Sequence, residues 1–185
     1  NKAAKEIKER VISLIGDVRG IFLGTIHSWC ARFLSFEARY IDYPDTFTII
    51  DEEDQLNIMK GIFANKGLPK SDPNIKGCLE WIGNKKTNGY QYEDLKNEKY
   101  HSALMMDYLD YFRQYTEILR ERKSLDFDDL LLKSIEILAD ESNGVRERYS
   151  RYMEHILVDE FQDINDVQFR LITLLMTKDT SLYVV

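Results

Sequence analysis

Near the end of the chain, Ile156-Leu157-Val158 runs without a break into two adjacent carboxylates, Asp159 and Glu160. A short apolar run closed by charge predicts a strand covered on both faces, and strands of that kind belong to parallel sheets flanked by helices. Ligands of such sheets bind outside the carboxyl edge, so the two carboxylates are expected where a ligand would sit. There the first carboxylate can hold a hydrated Mg²⁺ beside a nucleoside triphosphate, and the second can polarise the attacking water. The plainer alternative is a pair of solvated acids that start the next helix. Gln162 and Asp163, close behind the pair, weigh against it.

The rest of the pattern is mostly helical. Ala4, Ile7, Val11 and Leu14 recur at three- and four-residue steps, predicting a first helix. The run 19–27 reads as a turn and short strand, followed by a helix from a capping Ser28 to about Arg39. Pro44 breaks the pattern, Phe47-Thr48-Ile49-Ile50 is extended, and Asp51 caps a helix whose first turn holds Glu52, Glu53 and Asp54. Residues 67–92 are loop-rich, with a helix from Pro73 through Trp81 between turns at Gly67-Leu68-Pro69 and Asn88-Gly89. The longest helical pattern runs from about Glu93 to Arg122, with Leu104, Tyr108, Tyr111, Tyr115, Ile118 and Leu119 on one stripe. Its tyrosines read as core packing before a stacking platform for bases. Helices follow at Phe127–Ala139, Val145–Met153 and Asp166–Met176, then a final strand at 181–185. Strand-helix alternation at both ends around a block of helices predicts an α/β chain, mostly helical overall. Its parallel sheet is interrupted by a large, all-helical insertion from about Phe36 to about Lys123.

Charge limits the partners. The formal net charge is −7, which argues against holding nucleic acid by bulk electrostatics. The acid is concentrated, however. Residues 37–54 carry one basic against seven acidic side chains and residues 125–185 six against thirteen, whereas residues 1–36 carry six against three and 55–124 twelve against nine. A groove along the mildly basic segments can still meet a phosphate backbone. No apolar run approaches the roughly 18 residues that span a bilayer, so no membrane partner is expected and an intracellular, cytoplasmic setting is. Cys30 and Cys78, with His27, His101 and His155 far from them, lack metal-ligand spacing, and a zinc site or disulfide framework is not expected. The chain starts inside a helical pattern without a methionine and stops on an apolar strand, and so reads as a segment of a longer protein.

The string Val158-Asp159-Glu160-Phe161-Gln162-Asp163-Ile164-Asn165 resembles the Walker B motif of the UvrD/Rep/PcrA-like superfamily 1 DNA helicases. Asn1-Lys2-Ala3-Ala4 with Glu6 and Arg10 resembles the second half of that family's motif Ia. Gly24-Thr25-Ile26-His27-Ser28-Trp29-Cys30 with Phe33-Leu34 is similar to motif Ib, and Leu125-Asp126-Phe127-Asp128-Asp129-Leu130-Leu131 to the segment before Walker B. The run 47–55 resembles the entry to the family's inserted subdomain. These stretches occur in the family's order and touch nearly the whole chain. The resemblance implies a partial RecA-like P-loop NTPase fold: residues 1–35 in domain 1A, 36–123 as helical domain 1B, and 124–185 returning to domain 1A. It implies an ATP- and Mg²⁺-dependent helicase moving 3′→5′ on single-stranded DNA, acting at single-strand/duplex junctions, with DNA-repair proteins as possible partners.

By the same resemblance, Asp159 is the Mg²⁺-water ligand and Glu160 the general base, with Gln162 and Asp163 coupling the nucleotide site to its neighbours. Lys2, Thr25 and His27 are near the single-stranded DNA path. Departures limit what this stretch can do alone. No Gly is followed by Lys, so the phosphate-cradling loop G-x-x-x-x-G-K-[ST] is absent, as are the Gly-Asp that usually follow the terminal strand. The other reading is a non-catalytic DNA-binding or protein-docking module with a degenerate NTPase fold. Asp126, Asp128 and Asp129 lack the Gly and distal Glu of a Ca²⁺ loop and read as a helix start stabilised by acids. Trp29 and Trp81 read as packing.

Overall fold

Few glycines and prolines interrupt the chain, and helix accordingly dominates it. A computed structural model describes residues 2–16, 20–44, 46–97 and 102–185, and among these the side chains of residues 2–5, 8 and 15 are outside the described set. Helix α1 spans Lys2–Ile15 and α2 Ile26–Glu37, the latter continued by a 3₁₀ turn at Ala38–Ile41. Strand β1 (Thr48–Ile49) leads to α3 (Glu52–Asn65), α4 (Asn74–Thr87), α5 (Tyr92–Leu95) and α6 (Ala103–Glu121). Then come β2 (Ser124–Leu125), α7 (Phe127–Ala139), α8 (Val145–Ser150), β3 (His155–Val158), α9 (Asp166–Leu175) and β4 (Ser181–Val184).

Local chemistry accounts for most boundaries. Asp51 caps α3, its carboxylate accepting from Asp54 N at 2.9 Å, and Asp126 and Asn165 cap α7 and α9 with reciprocal capping boxes. Several boundaries depart from expectation. The segment before α2 forms no strand among the described residues. Thr25, not Ser28, caps α2 by accepting from Ser28 N at 3.2 Å, while the Ser28 hydroxyl returns to Thr25 O at 2.7 Å. Helix α4 continues to Thr87, past Gly83, because Ile75, Cys78, Ile82 and Lys86 form one buried face. Gly77 on this helix is needed for close approach: a Cβ there would sit 2.9 Å from Tyr108 Oη. The long pattern at 93–122 divides into α5 and α6, with residues 98–101 outside the described set.

Apolar burial gathers into two clusters. One joins Cys30, Phe33 and Leu34 of α2 to Leu125 and the buried faces of α7 and α9. The other joins Ile58, Met59, Ile62 and Phe63 of α3 to Ile75, Cys78 and Ile82 of α4 and to Tyr108, Tyr111, Phe112, Tyr115 and Leu119 of α6. The tyrosine stripe is therefore core. Trp29 stacks on Phe33 at 5.0 Å, and Trp81 meets Phe112 edge-on at 6.3 Å, so both pack as expected. Between the clusters, β1 pairs in parallel with β2 (Thr48 with Ser124, Ile49 with Leu125), so the chain enters and leaves the second cluster side by side. Tyr43 Oη seals this crossing by donating to Ser124 O at 2.8 Å.

Strand β3 pairs in parallel with β4 over four residues, from His155 with Ser181 to Val158 with Val184. The expected burial on both faces is not found. Ile156 packs against the first cluster, whereas Leu157 is 75% exposed and Tyr183 and Val184 also face outward. Coverage on both faces needs helices on either side of the sheet, and the described chain supplies them on one side only. Among the described residues the fold is thus a mostly helical α/β arrangement with two separate two-stranded parallel sheets.

Candidate functional site

At the carboxyl end of β3 the backbone turns sharply. Val185 N donates to Val158 O at 3.1 Å and Phe161 N to Val185 O at 2.9 Å, which anchors both sides of the Asp159-Glu160 step to β4. Glu160 is left-handed (φ 52°), an unusual conformation for a residue with a β-carbon, and begins the 3₁₀ turn Phe161–Asp163. That turn is closed by Asp163 N donating to Glu160 O at 2.9 Å. The result is two exposed carboxylates on consecutive residues at the sheet's carboxyl edge.

Each carboxylate is steadied without being consumed. Asp159 Oδ1 accepts from Glu160 N at 3.1 Å, and Gln162 Nε2 donates to Glu160 Oε2. One oxygen of each group, Asp159 Oδ2 and Glu160 Oε1, carries no protein hydrogen bond among these contacts. Such exposed, hard oxygen donors suit Mg²⁺, which keeps several waters and is held by one or two carboxylates together with phosphates. Among the described residues no cluster of three or more His, Cys, Asp or Glu forms an all-protein cage. Asp163 is exposed beside this pair and offers its backbone to the turn.

Two of the other predicted site residues, Thr25 and His27, lie at the start of α2. Thr25 is occupied as its N-cap. Gly24 permits the tight entry, since a Cβ there would lie 2.6 Å from Ser28 Oγ and 3.0 Å from the Phe22 ring. His27 is partly buried and meets the Phe127 ring edge-on at 5.9 Å. Burial lowers its pKa, so the imidazole is neutral at pH 7. Phe127, 49% exposed at the first position of α7, is a neighbour that the sequence places only in a helix start. Lys2 begins α1, and its side chain lies outside the described residues.

Two of the three acids at the start of α7, Asp126 and Asp129, do more than start a helix. Lys86 Nζ, on α4, donates to Asp126 Oδ2 at 2.6 Å and to Asp129 Oδ1 at 2.7 Å, with its side chain only 4% exposed. Tyr115 Oη, on α6, donates to Asp126 Oδ2 at 3.0 Å, and the Lys86 ammonium lies 5.3 Å from the Tyr115 ring centre. Burial raises the Asp129 pKa, the Asp126 charge adds to it, and the value reaches about 6 despite Lys86. For Asp126 burial is outweighed by the Lys86 ammonium and its hydrogen bonds, which hold the pKa below the usual carboxylate range. The signal for Lys86 was present in the sequence: spacing from Ile75, Cys78 and Ile82 puts it on the buried stripe of α4.

Similarity to known proteins shows the family. The model of the UvrD/REP helicase N-terminal domain matches residues 1–185. The chain belongs to the UvrD/REP helicase family. It is 35% identical over 189 residues to the ATP-dependent DNA helicase PcrA of Bacillus subtilis and 36% identical over 189 residues to PcrA of Staphylococcus aureus. To a probable DNA helicase II homolog of Mycoplasma capricolum it is 33% identical over 195 residues. All of this chain is covered in each case, but only 25%, 25% and 26% of those proteins, so the chain spans about a quarter of the length of the curated relatives it matches. Among the described residues no helix is long and apolar enough to cross a membrane.

Proposed function

We propose that this chain is the part of an ATP-dependent DNA helicase that carries the metal ligand and general base for ATP hydrolysis, within a protein that moves 3′→5′ on single-stranded DNA and unwinds duplex at its junctions. The observation that carries the reading is the Asp159-Glu160 pair, presented side by side at the carboxyl edge of parallel β3 in a member of the UvrD/REP family. In this reading Asp159 holds Mg²⁺, which when bound neutralises charge on the triphosphate. Glu160 accepts the proton of the attacking water. Gln162 orients Glu160 through its hydrogen bond, and Asp163 borders the site.

Thr25, His27 and Lys2 belong to the DNA face, joined by Phe127, whose half-exposed ring beside His27 can stack on a base without reading its identity. The proposed division is a RecA-like domain, residues 1–35 and 124–185, and a helical insertion, residues 36–123; the two apolar clusters support two packing units, with Ile41, Tyr43 and Phe47 packing on the first and the second beginning at Ile50. The outward apolar face of β3 and β4 supports covering helices from elsewhere in a longer, cytoplasmic polypeptide, which would also supply the phosphate-binding loop. DNA-repair proteins are the partners this role would bring.

Two substitutions in the full-length protein test the roles. Glu160→Gln keeps shape and loses the base, so ATP turnover falls by roughly 10²–10⁴-fold while nucleotide binding is retained. Asp159→Asn weakens the hold on the metal, so nucleotide binding requires more Mg²⁺ as the rate falls. Near wild-type turnover in Glu160→Gln, read in a Mg²⁺-titrated ATPase assay, would overturn the assignment.

A further inference from the structure

The Lys86, Asp126, Asp129 and Tyr115 cluster is built from both sides of the molecule. Lys86 and Tyr115 project from α4 and α6, whose apolar faces belong to the second cluster, whereas Asp126 and Asp129 belong to the first turn of α7, which belongs to the first. Their polar atoms meet each other: Lys86 with both carboxylates, Tyr115 with Asp126, and the carboxylates with the amides of their own turn. A second tie lies farther along α7, where Lys133 Nζ donates to Gln91 Oε1 at 2.8 Å. Apolar contact between two smooth cores tolerates sliding, because it is non-directional. A buried ammonium between two carboxylates does not, since any shift leaves an unpaired charge out of water.

We infer that this buried cluster is a positioning lock: Lys86, with Asp126, Asp129 and Tyr115, fixes the orientation of the helical insertion on the first turn of α7. Asp126 immediately precedes Phe127, so the lock also sets the insertion relative to the His27–Phe127 face. The lock rests on geometry alone. Only its consequence for DNA depends on the proposed function.

The test is an orientation measurement that stability alone does not move. Spin labels at Lys70→Cys, on the loop before α4, and Arg170→Cys, on α9, occupy exposed positions on the two sides. Cys30 and Cys78 are buried, with thiols pushed up to about 12, which directs labelling to the introduced positions. In the full-length protein the distance distribution is expected to be single and narrow. A charge-free variant, Lys86→Met with Asp126→Asn and Asp129→Leu, keeps the N-cap acceptor at position 126, gives up the longer, reciprocal bond of the capping box, and fills the same space. It is expected to remain folded, with a melting temperature at or above that of Lys86→Met alone, and to show a distribution at least twice as wide or displaced. A narrow distribution at the original distance would overturn the inference, because packing alone would then set the orientation. A charge-free variant that fails to fold would also overturn it, by making the cluster a requirement of stability and not of orientation.

Discussion

At the scale of residues, a charged group's behaviour follows from what surrounds it. Asp129 and Asp126 share one ammonium, and the group farther from relief, Asp129, has its pKa raised to about 6 by burial and by the neighbouring Asp126 charge. A carboxyl raised in the folded state stays protonated there after the unfolded chain has released its proton. Its contribution to stability is therefore full below the ordinary carboxylate value of about 3.9 and is lost as pH rises toward 6. Asn imitates the neutral acid at every pH, so Asp129→Asn should cost more stability at pH 4 than at pH 6.5. Urea unfolding of both proteins at the two pH values checks this, and an equal cost at both would refute the assignment. The sequence reveals Asp126, Asp128 and Asp129 as a helix start stabilised by acids, which is a local property. The partner of Asp126 and Asp129 lies 40 residues before the first of them, and no local spacing joins it to them.

At the scale of elements, helix ends followed their caps while β3 did not follow its pattern. Ile156-Leu157-Val158 reads as uniformly buried, yet Leu157 is 75% exposed because the described chain covers one face of the sheet. Leu171, on α9 against the first cluster, is 2% exposed. In this chain Leu157→Thr should therefore change stability by less than about 0.5 kcal/mol, whereas Leu171→Ala should lose about 2–5 kcal/mol. Denaturant midpoints of the two variants measure the contrast, and similar losses would mean that Leu157 is covered. The start of α2 illustrates the opposite limit of pattern reading. Thr25 and Ser28 are both acceptable caps, and the choice fell to Thr25 because Gly24 lets the chain enter tightly enough for Ser28 N to reach its hydroxyl.

At the scale of the whole molecule, the 185 residues hold the proposed metal ligand and base, Asp159 and Glu160, but no glycine-rich phosphate loop. Without that amide cradle and its lysine the triphosphate is not positioned, so this stretch alone should hydrolyse no ATP above background, with or without single-stranded DNA. A coupled-enzyme assay decides the matter, and turnover abolished by Glu160→Gln would contradict it. Helix positions, the caps at Asp51, Asp126 and Asn165, and the carboxylate pair after β3 were determined by the sequence itself, because hydrogen bonds to the first turn and apolar periodicity act over three or four residues. The separation into two apolar clusters, the pairing of β1 with β2, the burial of Lys86 between two carboxylates and the exposure of Leu157 were decided by the tertiary structure. Each of these depends on a partner, or the lack of one, far along the chain, where burial and charge are set by what packs there and not by neighbouring residues.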